Sequence, residues 1–468
     1  MTTFFRDAPL GPESDTPVST LVLFGRTPER IASLAGLVAR WMANEGAEVG
    51  LPEVAHTLNH HRTWHRSFAT VCARDRAQAV AGLAALAAGR PAEGVVGPHE
   101  GPCNSGTVFV YSGSGSQWAG MGRKLLADEP DFATAVAELE PTFVEQVGFS
   151  LQQVLANGEP VVGNARVQPV LMGLQLALTE LWRSYGMIPD AVVGHSMGEV
   201  TAAVVAGALT PAEGLRVIAV RSRLMARLAG QGAVASLQLD APTTGRLIAD
   251  YPGVAVAGFS SPRQTVVAGP PAQVDAVIAA VWRQNRFARR ENVEVASHTA
   301  LVEPILPELR AALADLAPRT PVVPFISTVT GTAATSALDA DYWVANVRQP
   351  VRLCEAIATA GRDHGTFIEI SPHPMLTQAI TETLGDAHHH SVGTLCRDGD
   401  DTLSFRTNSN ATHGVYPPET PHPPGPHPVL PSMPMQHTRL WTSVLRARGH
   451  GDAVQAPADA GRGAKRRN

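Results

Sequence analysis

Residues 190–209, DAVVGHSMGEVTAAVVAGAL, run from a β-branched stretch into an Ala/Val-rich one through the tight sequence Gly-His-Ser-Met-Gly. A short apolar strand that hands directly to a helix is the unit of parallel sheets, because parallel neighbours need a crossover that covers one face. The same alternation runs through the centre of the chain. TVFVYSG (107–113) and DAVVGHS (190–196) read as strands; LMGLQLALTELWRSYG (171–186), GEVTAAVVAGAL (198–209) and PAEGLRVIAVRSRLMARLA (211–229) read as helices. The expected class is therefore α/β, with a mostly parallel sheet covered by helices. Between 233 and 296 the pattern changes to AVASLQLD, a helix near 242–250, VAVAGFSS, QTVVAG, a helix near 271–286 and ENVEVAS. That β-α-β-β-α-β order predicts a small ferredoxin-like subdomain inserted into the larger one.

A second, smaller α/β unit comes first. STLVLFG (19–25) and RSFATVCA (66–73) read as strands, and AQAVAGLAALAAG (77–89) as a helix. TPERIASLAGLVARWMANEG (27–46) reads as an amphipathic helix with Thr27 as N-cap and Pro28 in its first turn. From about 414 the prolines are too dense for helix or sheet interiors, and the last residues are polar and basic. The expected organisation is a flexible lead-in over 1–17 and a small α/β linker domain over 18–106. A central domain over 107–395 follows, then a wrapping linker over 396–441 and a disordered tail over 442–468.

Composition narrows the function classes. With 44% hydrophobic and 17% charged residues the chain is a folded protein. A net charge of −5 recommends neither nucleic acid nor a membrane surface as partner. The longest apolar stretches, such as AAVVAGAL (202–209), fall well short of the roughly 18 residues of a membrane span. Four scattered cysteines without a C-x-x-C pair suit a reducing cytoplasm and oppose a disulfide framework or zinc site. The HHH at 388–390 and the His-Pro repeats near 422–427 sit in linker-like sequence without ligand spacing, so no metal is expected.

Gly194-His195-Ser196-Met197-Gly198 fits G-x-S-x-G, the nucleophile elbow of serine acyl-transfer enzymes. In that geometry Ser196 projects from the strand end, and the Met197 N–H supplies one donor of an oxyanion hole. The competing reading is a serine that merely caps the following helix. A serine nucleophile needs a base, and most of the 17 histidines are poorly placed for it. His195 adjoins the serine and should point away from it. His56, His60, His61 and His65 lie in the N-terminal unit, where solvated or capping roles are expected. His298, between a strand and a helix in VEVASHTALVEPI (293–305), sits on a loop at the sheet edge.

Seven blocks then occur in order: YSGSGSQWAGMGRKL (111–125), RVQPVLMGLQLAL (166–178), GHSMGEVTAA (194–203), VIAVRSRLM (217–225), VASHTALVEPI (295–305), YWVANVRQPVRL (342–353) and FIEISPHPML (367–376). With these, residues 107–395 resemble the acyltransferase domain of type I polyketide synthases, which is related to malonyl-CoA:acyl-carrier-protein transacylases. Residues 20–91 are similar to the linker that precedes this domain, and LPSMPMQHTRLW (430–441) to the segment that follows it. With residues 412–431 included, the resemblance extends to synthases of the mycocerosic acid synthase type, which build methyl-branched lipids. It implies a parallel-sheet, α/β-hydrolase-like large subdomain, a ferredoxin-like insertion, and a small α/β linker domain of the ketosynthase-acyltransferase type.

The resemblance also implies roles. Ser196 would be the nucleophile and His298 its base, in a dyad whose imidazole is oriented by carbonyl groups rather than by an acid. Gln117 would supply the side of the oxyanion hole opposite the Met197 N–H. Arg221 would bind the free carboxylate of a malonyl-type extender, a pairing suited to the planar guanidinium; Arg221, Arg223 and Arg227 cannot all face the same pocket, and a solvated place on an amphipathic helix would hold for Arg223 or Arg227. Gln168, His373 and Asn346 match positions that shape the site or pack beside it. VASH (295–298) resembles the YASH of methylmalonyl-selecting domains, since Ser297 leaves room where a Phe would press on an α-methyl group. Val295 in place of Tyr, Met197 after the serine, and Ser114 in place of Gln depart from the commonest pattern.

The implied activity is transfer of an extender, methylmalonyl or alternatively malonyl, from CoA through an acyl-serine to phosphopantetheine on an acyl carrier protein. No bound cofactor or metal is implied, and a ketosynthase or larger synthase is the implied partner in trans. A serine hydrolase using the same elbow on water, and a non-catalytic remnant acting only by docking, are the rival readings.

Overall fold

A computed structural model describes residues 16–63, 65, 67–98, 106–334, 337–412 and 428–432. Residues 1–431 form one compact unit that holds every described helix and strand; 432–468 form a second, of which only residue 432 is described. Most of the expected wrapping linker and all of the expected tail lie outside the described residues.

Strands β1 (Ser19–Phe24), β2 (Phe68–Ala73) and β3 (Val95–Val96) form an antiparallel sheet in that order. The helix Pro28–Ala43 starts where expected, with the Thr27 hydroxyl accepting from the Arg30 N–H at 3.4 Å. Asp75 caps the helix Arg76–Ala87 in the same way through Gln78. A third helix, Leu51–His60, was not anticipated, and it corrects the placing of His56. That side chain is buried, its ring 4.5 Å from that of His60. Asn59 on the same helix clips the edge of β1, accepting from Val22 N–H and donating to Thr20 C=O, both at 3.0 Å.

The central sheet is parallel throughout. Strands β4 (Thr107–Tyr111), β5 (Ala191–Gly194), β10 (Phe325–Ile326), β11 (Thr366–Ile370) and β12 (His390–Val392) take the order β10-β5-β4-β11-β12. Strand alternation sorts its side chains into two layers. Phe109, Tyr111 and Val192 join Leu171, Trp182 and Ile218 in the larger core, while Val108, Val110 and Val193 pack with Leu353, Ile357 and Ile380. His388–His390 lead into the edge strand β12 rather than lying in a linker.

The insertion comprises β6 (Ala233–Leu237), β7 (Ala255–Ser261), β8 (Gln264–Gly269) and β9 (Ala288–Arg290), antiparallel in the order β7-β8-β6-β9, with helices Ala241–Ile248 and Pro271–Trp282. This is the expected ferredoxin-like order, with one correction: the last strand is Ala288–Arg290, and ENVEVAS runs as loop. Its alternating valines misled, because Val295 is buried in the core of the large subdomain rather than in the small sheet. The insertion docks through β7, where Phe259 N–H reaches Val351 C=O at 2.8 Å and Val351 N–H reaches Ala257 C=O at 2.9 Å.

The segment after β12 also departs from expectation. Asp401–Ala411 is a helix, capped by Asp400 through the Leu403 N–H at 3.0 Å. Asp400 accepts two hydrogen bonds from the Arg74 guanidinium, at 2.5 and 2.9 Å, and Asp128 a third at 2.5 Å. One buried arginine thus ties the first sheet to the central domain and to this helix. No helix of the described residues is long and apolar enough to cross a membrane.

Breaking a buried ion pair from one side costs about 3–5 kcal/mol, because the remaining charge is left unpaired. Arg74→Ala is expected to lower stability to urea by that order, with Arg74→Lys intermediate because it keeps the charge and loses the fork.

Candidate active site

β5 ends at Gly194 and the next helix starts at Gly198, so three residues make the turn. Ser196 takes it at φ 57, in the left-handed region that L-residues avoid. Only glycine fits at either end: a Cβ on Gly194 would collide with Glu199 backbone, and one on Gly198 with the Tyr111 carbonyl. The turn is held from several sides. His195 N–H donates to Tyr111 C=O at 2.8 Å, the Thr328 hydroxyl to Gly194 C=O at 2.8 Å, and the Asn346 amide to Ser196 C=O at 3.1 Å.

The Ser196 hydroxyl oxygen lies 2.8 Å from His298 Nε2 and accepts from Arg221 Nη2 at 3.0 Å. With that lone pair engaged, its proton is left for the imidazole. His298 sits at φ 65, another strained backbone, with its own N–H on Val347 C=O at 2.9 Å. Its Nδ1 is 2.9 Å from Gln349 C=O, which can only accept. Nδ1 therefore carries the proton, and Nε2 presents a lone pair to the serine. Burial, then the Arg221 cation and His195, push the His298 pKa from 6.5 down to about 3, so the ring is neutral. His195 packs against Gly113, away from the hydroxyl, and burial brings its pKa down to about 4.

Of Arg221, Arg223 and Arg227 on the helix Pro211–Ala226 and its C-cap, only Arg221 reaches the serine. Arg221 is buried, Arg223 is exposed, and Arg227 is paired with Glu308. Burial lowers the Arg221 pKa to about 10, and the Glu199 carboxylate opposes the fall. Its Nε and Nη1 are buried and bond to no protein acceptor. A guanidinium in this state suits an incoming carboxylate.

Glu199, the last residue of GHSMGE, was not singled out from the sequence. It is fully buried and accepts from Thr328 N–H (2.5 Å) and hydroxyl (3.0 Å), Tyr342 hydroxyl (2.9 Å) and Asn346 amide (2.7 Å). Burial pushes its pKa up and these bonds pull it back. Thr328 and Asn346, which hold the Gly194 and Ser196 carbonyls, are thus both anchored on Glu199. Asn346, Tyr342 and Gln349 all come from the YWVANVRQP block.

The loop after β4 lies beside the elbow, with the Ser114 hydroxyl donating to Met197 Sδ at 3.6 Å. Gln117 turns its side chain back, Oε1 accepting from Gly115 N–H at 2.8 Å. The backbone N–H groups of Met197 and Gln117 donate to no acceptor among the described residues. The remaining expected residues stand farther from the hydroxyl in the bonding pattern. Gln168 is buried, donating to Asn164 at 2.9 Å and facing Met225 Sδ. Val295 packs in the large core, Ser297 is half-buried on the loop before His298, and His373 Nδ1 accepts from Arg397 N–H at 3.2 Å.

The family model for the acyl transferase domain matches residues 108–416. The chain belongs to the acyltransferase family. It is 58% identical to the acyltransferase domain of the polyketide synthase PpsC of Mycobacterium tuberculosis, covering 68% of this chain and 98% of that one with a TM-score of 0.62. The acyltransferase domain from module 8 of the salinomycin polyketide synthase is 38% identical, covers 85% of this chain and 96% of that one, and has a TM-score of 0.77. Among curated proteins, one of the phenolphthiocerol/phthiocerol polyketide synthase subunits of Mycobacterium tuberculosis is 57% identical over 460 residues, 96% of this chain. The chain spans 30% of that relative's length. The resemblance to polyketide synthase acyltransferases, expected from the motifs, holds over the central domain and beyond it.

Because burial and the Arg221 charge hold His298 neutral, labelling of Ser196 by an uncharged fluorophosphonate is expected to stay level from about pH 5 to about pH 8, where an ordinary histidine titrates. A rate that halves near the usual histidine pKa contradicts this.

Proposed function

We propose that the chain performs a ping-pong acyl transfer, in which Ser196 takes a carboxylated acyl group from CoA and passes it to the phosphopantetheine thiol of an acyl carrier protein. The observation that carries this reading is the 2.8 Å contact between Ser196 Oγ and a His298 whose other nitrogen is committed to a carbonyl. His298 Nε2 removes the hydroxyl proton as Oγ attacks the thioester carbon. Negative charge gathers on the acyl oxygen, where the Met197 and Gln117 N–H groups receive it. Collapse breaks the C–S bond, and His298 returns its proton to the departing CoA sulfur. In the second half the carrier thiol gives its proton to His298 and attacks the acyl-serine, and the proton returns to Ser196 Oγ. These steps use no metal and no bound cofactor.

Arg221 supports a carboxylated substrate, since its buried cationic guanidinium has Nε and Nη1 without an acceptor. A charged hydrogen bond of about 1.5–3 kcal/mol favours such acyl groups by roughly tenfold to over a hundredfold. We assign methylmalonyl as the extender on Ser297, whose small side chain leaves space beside the α-carbon, with malonyl as the alternative. The methyl group is worth about 1–3 kcal/mol, so the preference is graded. The longer relatives, and the first sheet with its helices, support a place within a cytoplasmic lipid- or polyketide-forming synthase. There the 18–106 linker domain would face a ketosynthase.

Intact-mass measurement after incubation with acetyl-, malonyl- or methylmalonyl-CoA tests the reading. Carboxyacyl adducts are expected, absent in Ser196→Ala and reduced by about ten- to a hundredfold in rate in Arg221→Ala. Lack of any adduct with a carboxylated acyl-CoA overturns it, and an acetyl adduct indifferent to Arg221→Ala points to another substrate.

A further inference from the structure

The loop that carries Gln117 N–H is held by a residue from the far end of the domain. Arg397 follows β12 and is exposed, yet its Nη2 donates to Gly115 C=O at 2.9 Å and to Gln117 C=O at 3.4 Å. Those two carbonyls flank the Ser116–Gln117 peptide, the unit that bears the Gln117 N–H. Fixing the peptide on each side fixes the direction of the donor between them. The loop needs this support, since Gly115 stands at φ 116 and the Gln117 side chain spends its oxygen on Gly115 N–H. A second tie, Trp118 Nε1 to Pro372 C=O at 2.8 Å, holds the loop one residue on.

Arg397 is itself held by His373, whose Nδ1 accepts its backbone N–H at 3.2 Å. A protonated ring could not accept there, and burial with the nearby Arg397 charge lowers the His373 pKa, which keeps that lone pair available. The contacts form a chain from His373 to Arg397 to the two carbonyls.

We infer that Arg397 is a positioning residue for acyl transfer, pinning the loop after β4 so that Gln117 N–H faces the acyl oxygen, with His373 holding Arg397 in place. This rests on the acyl-serine reading above. Positioning a donor matters less than supplying one, so the effect falls below the hundredfold or more of losing an oxyanion donor.

The test is single-turnover acylation of the full chain by methylmalonyl-CoA, followed by quenching and intact mass. In Arg397→Ala the saturating rate is expected to fall about tenfold while the half-saturating concentration holds within about twofold. Arg397→Lys, which keeps a charged donor, recovers most of the rate, and His373→Ala lowers the same rate by a smaller factor. The melting midpoint stays level in Arg397→Ala, because the side chain is exposed. An unchanged rate in Arg397→Ala overturns the inference. So does a raised half-saturating concentration at full saturating rate, which would make the guanidinium a contact for the CoA phosphates. If the unmodified chain takes no acyl group at Ser196, the functional reading fails first and this inference fails with it.

Discussion

A serine held at φ 57 between a parallel strand and a helix costs about 1–3 kcal/mol of backbone strain, and the surrounding structure has to offset it. Each hydrogen bond to the turn contributes about 0.5–1.5 kcal/mol net, so the three ties from Tyr111, Thr328 and Asn346 together are of the size required. Two of those ties end on Glu199, which explains why a carboxylate is buried one turn beyond the serine. The parallel sheet is the frame for all of this. β4 and β5 run side by side, with Tyr111 opposite Gly194, so the loop after one strand and the elbow after the other emerge together.

Charge is arranged around the hydroxyl as tightly as shape. Burial, and after it the Arg221 cation that a second charge would meet, keep the His195 and His298 rings neutral. The arginine stays cationic with two donors idle, and Glu199 is the carboxylate whose field supports it. In the proposed reaction a substrate carboxylate would complete that arrangement and lift one of the causes that depress His298. The base would then strengthen when the right acyl group arrives.

Much of this was legible in the residues, and the exceptions have physical causes. The helix Leu51–His60 hid because its buried face includes His56 and Asn59, polar side chains that a hydrophobicity pattern counts as exposed. ENVEVAS imitated a strand because Val293 and Val295 alternate, while the chain was leaving the small sheet to bring His298 to the large one. The proline-dense sequence downstream of residue 412 masks the helix Asp401–Ala411 in the residue pattern, although Asp400 is an ordinary cap. At the site, the motif blocks name Ser196, His298 and Arg221, whose side chains meet at the serine hydroxyl, while Gln168 and His373, named for shaping the site or packing beside it, bond to Asn164 and Arg397.

Local periodicity and turn chemistry determined the α/β class, the inserted small sheet, the elbow and the capped helices, since each depends on residues a few positions apart. Which arginine of the helix Pro211–Ala226 faces the serine, which imidazole nitrogen holds the proton, and what Glu199 and Arg397 hold were decided by tertiary structure alone. Those choices depend on atoms that meet across long stretches of chain, 102 residues for Ser196 and His298 and 282 for Arg397 and Gly115. No periodicity spans such distances; packing of the parallel sheet brings these atoms within hydrogen-bonding reach.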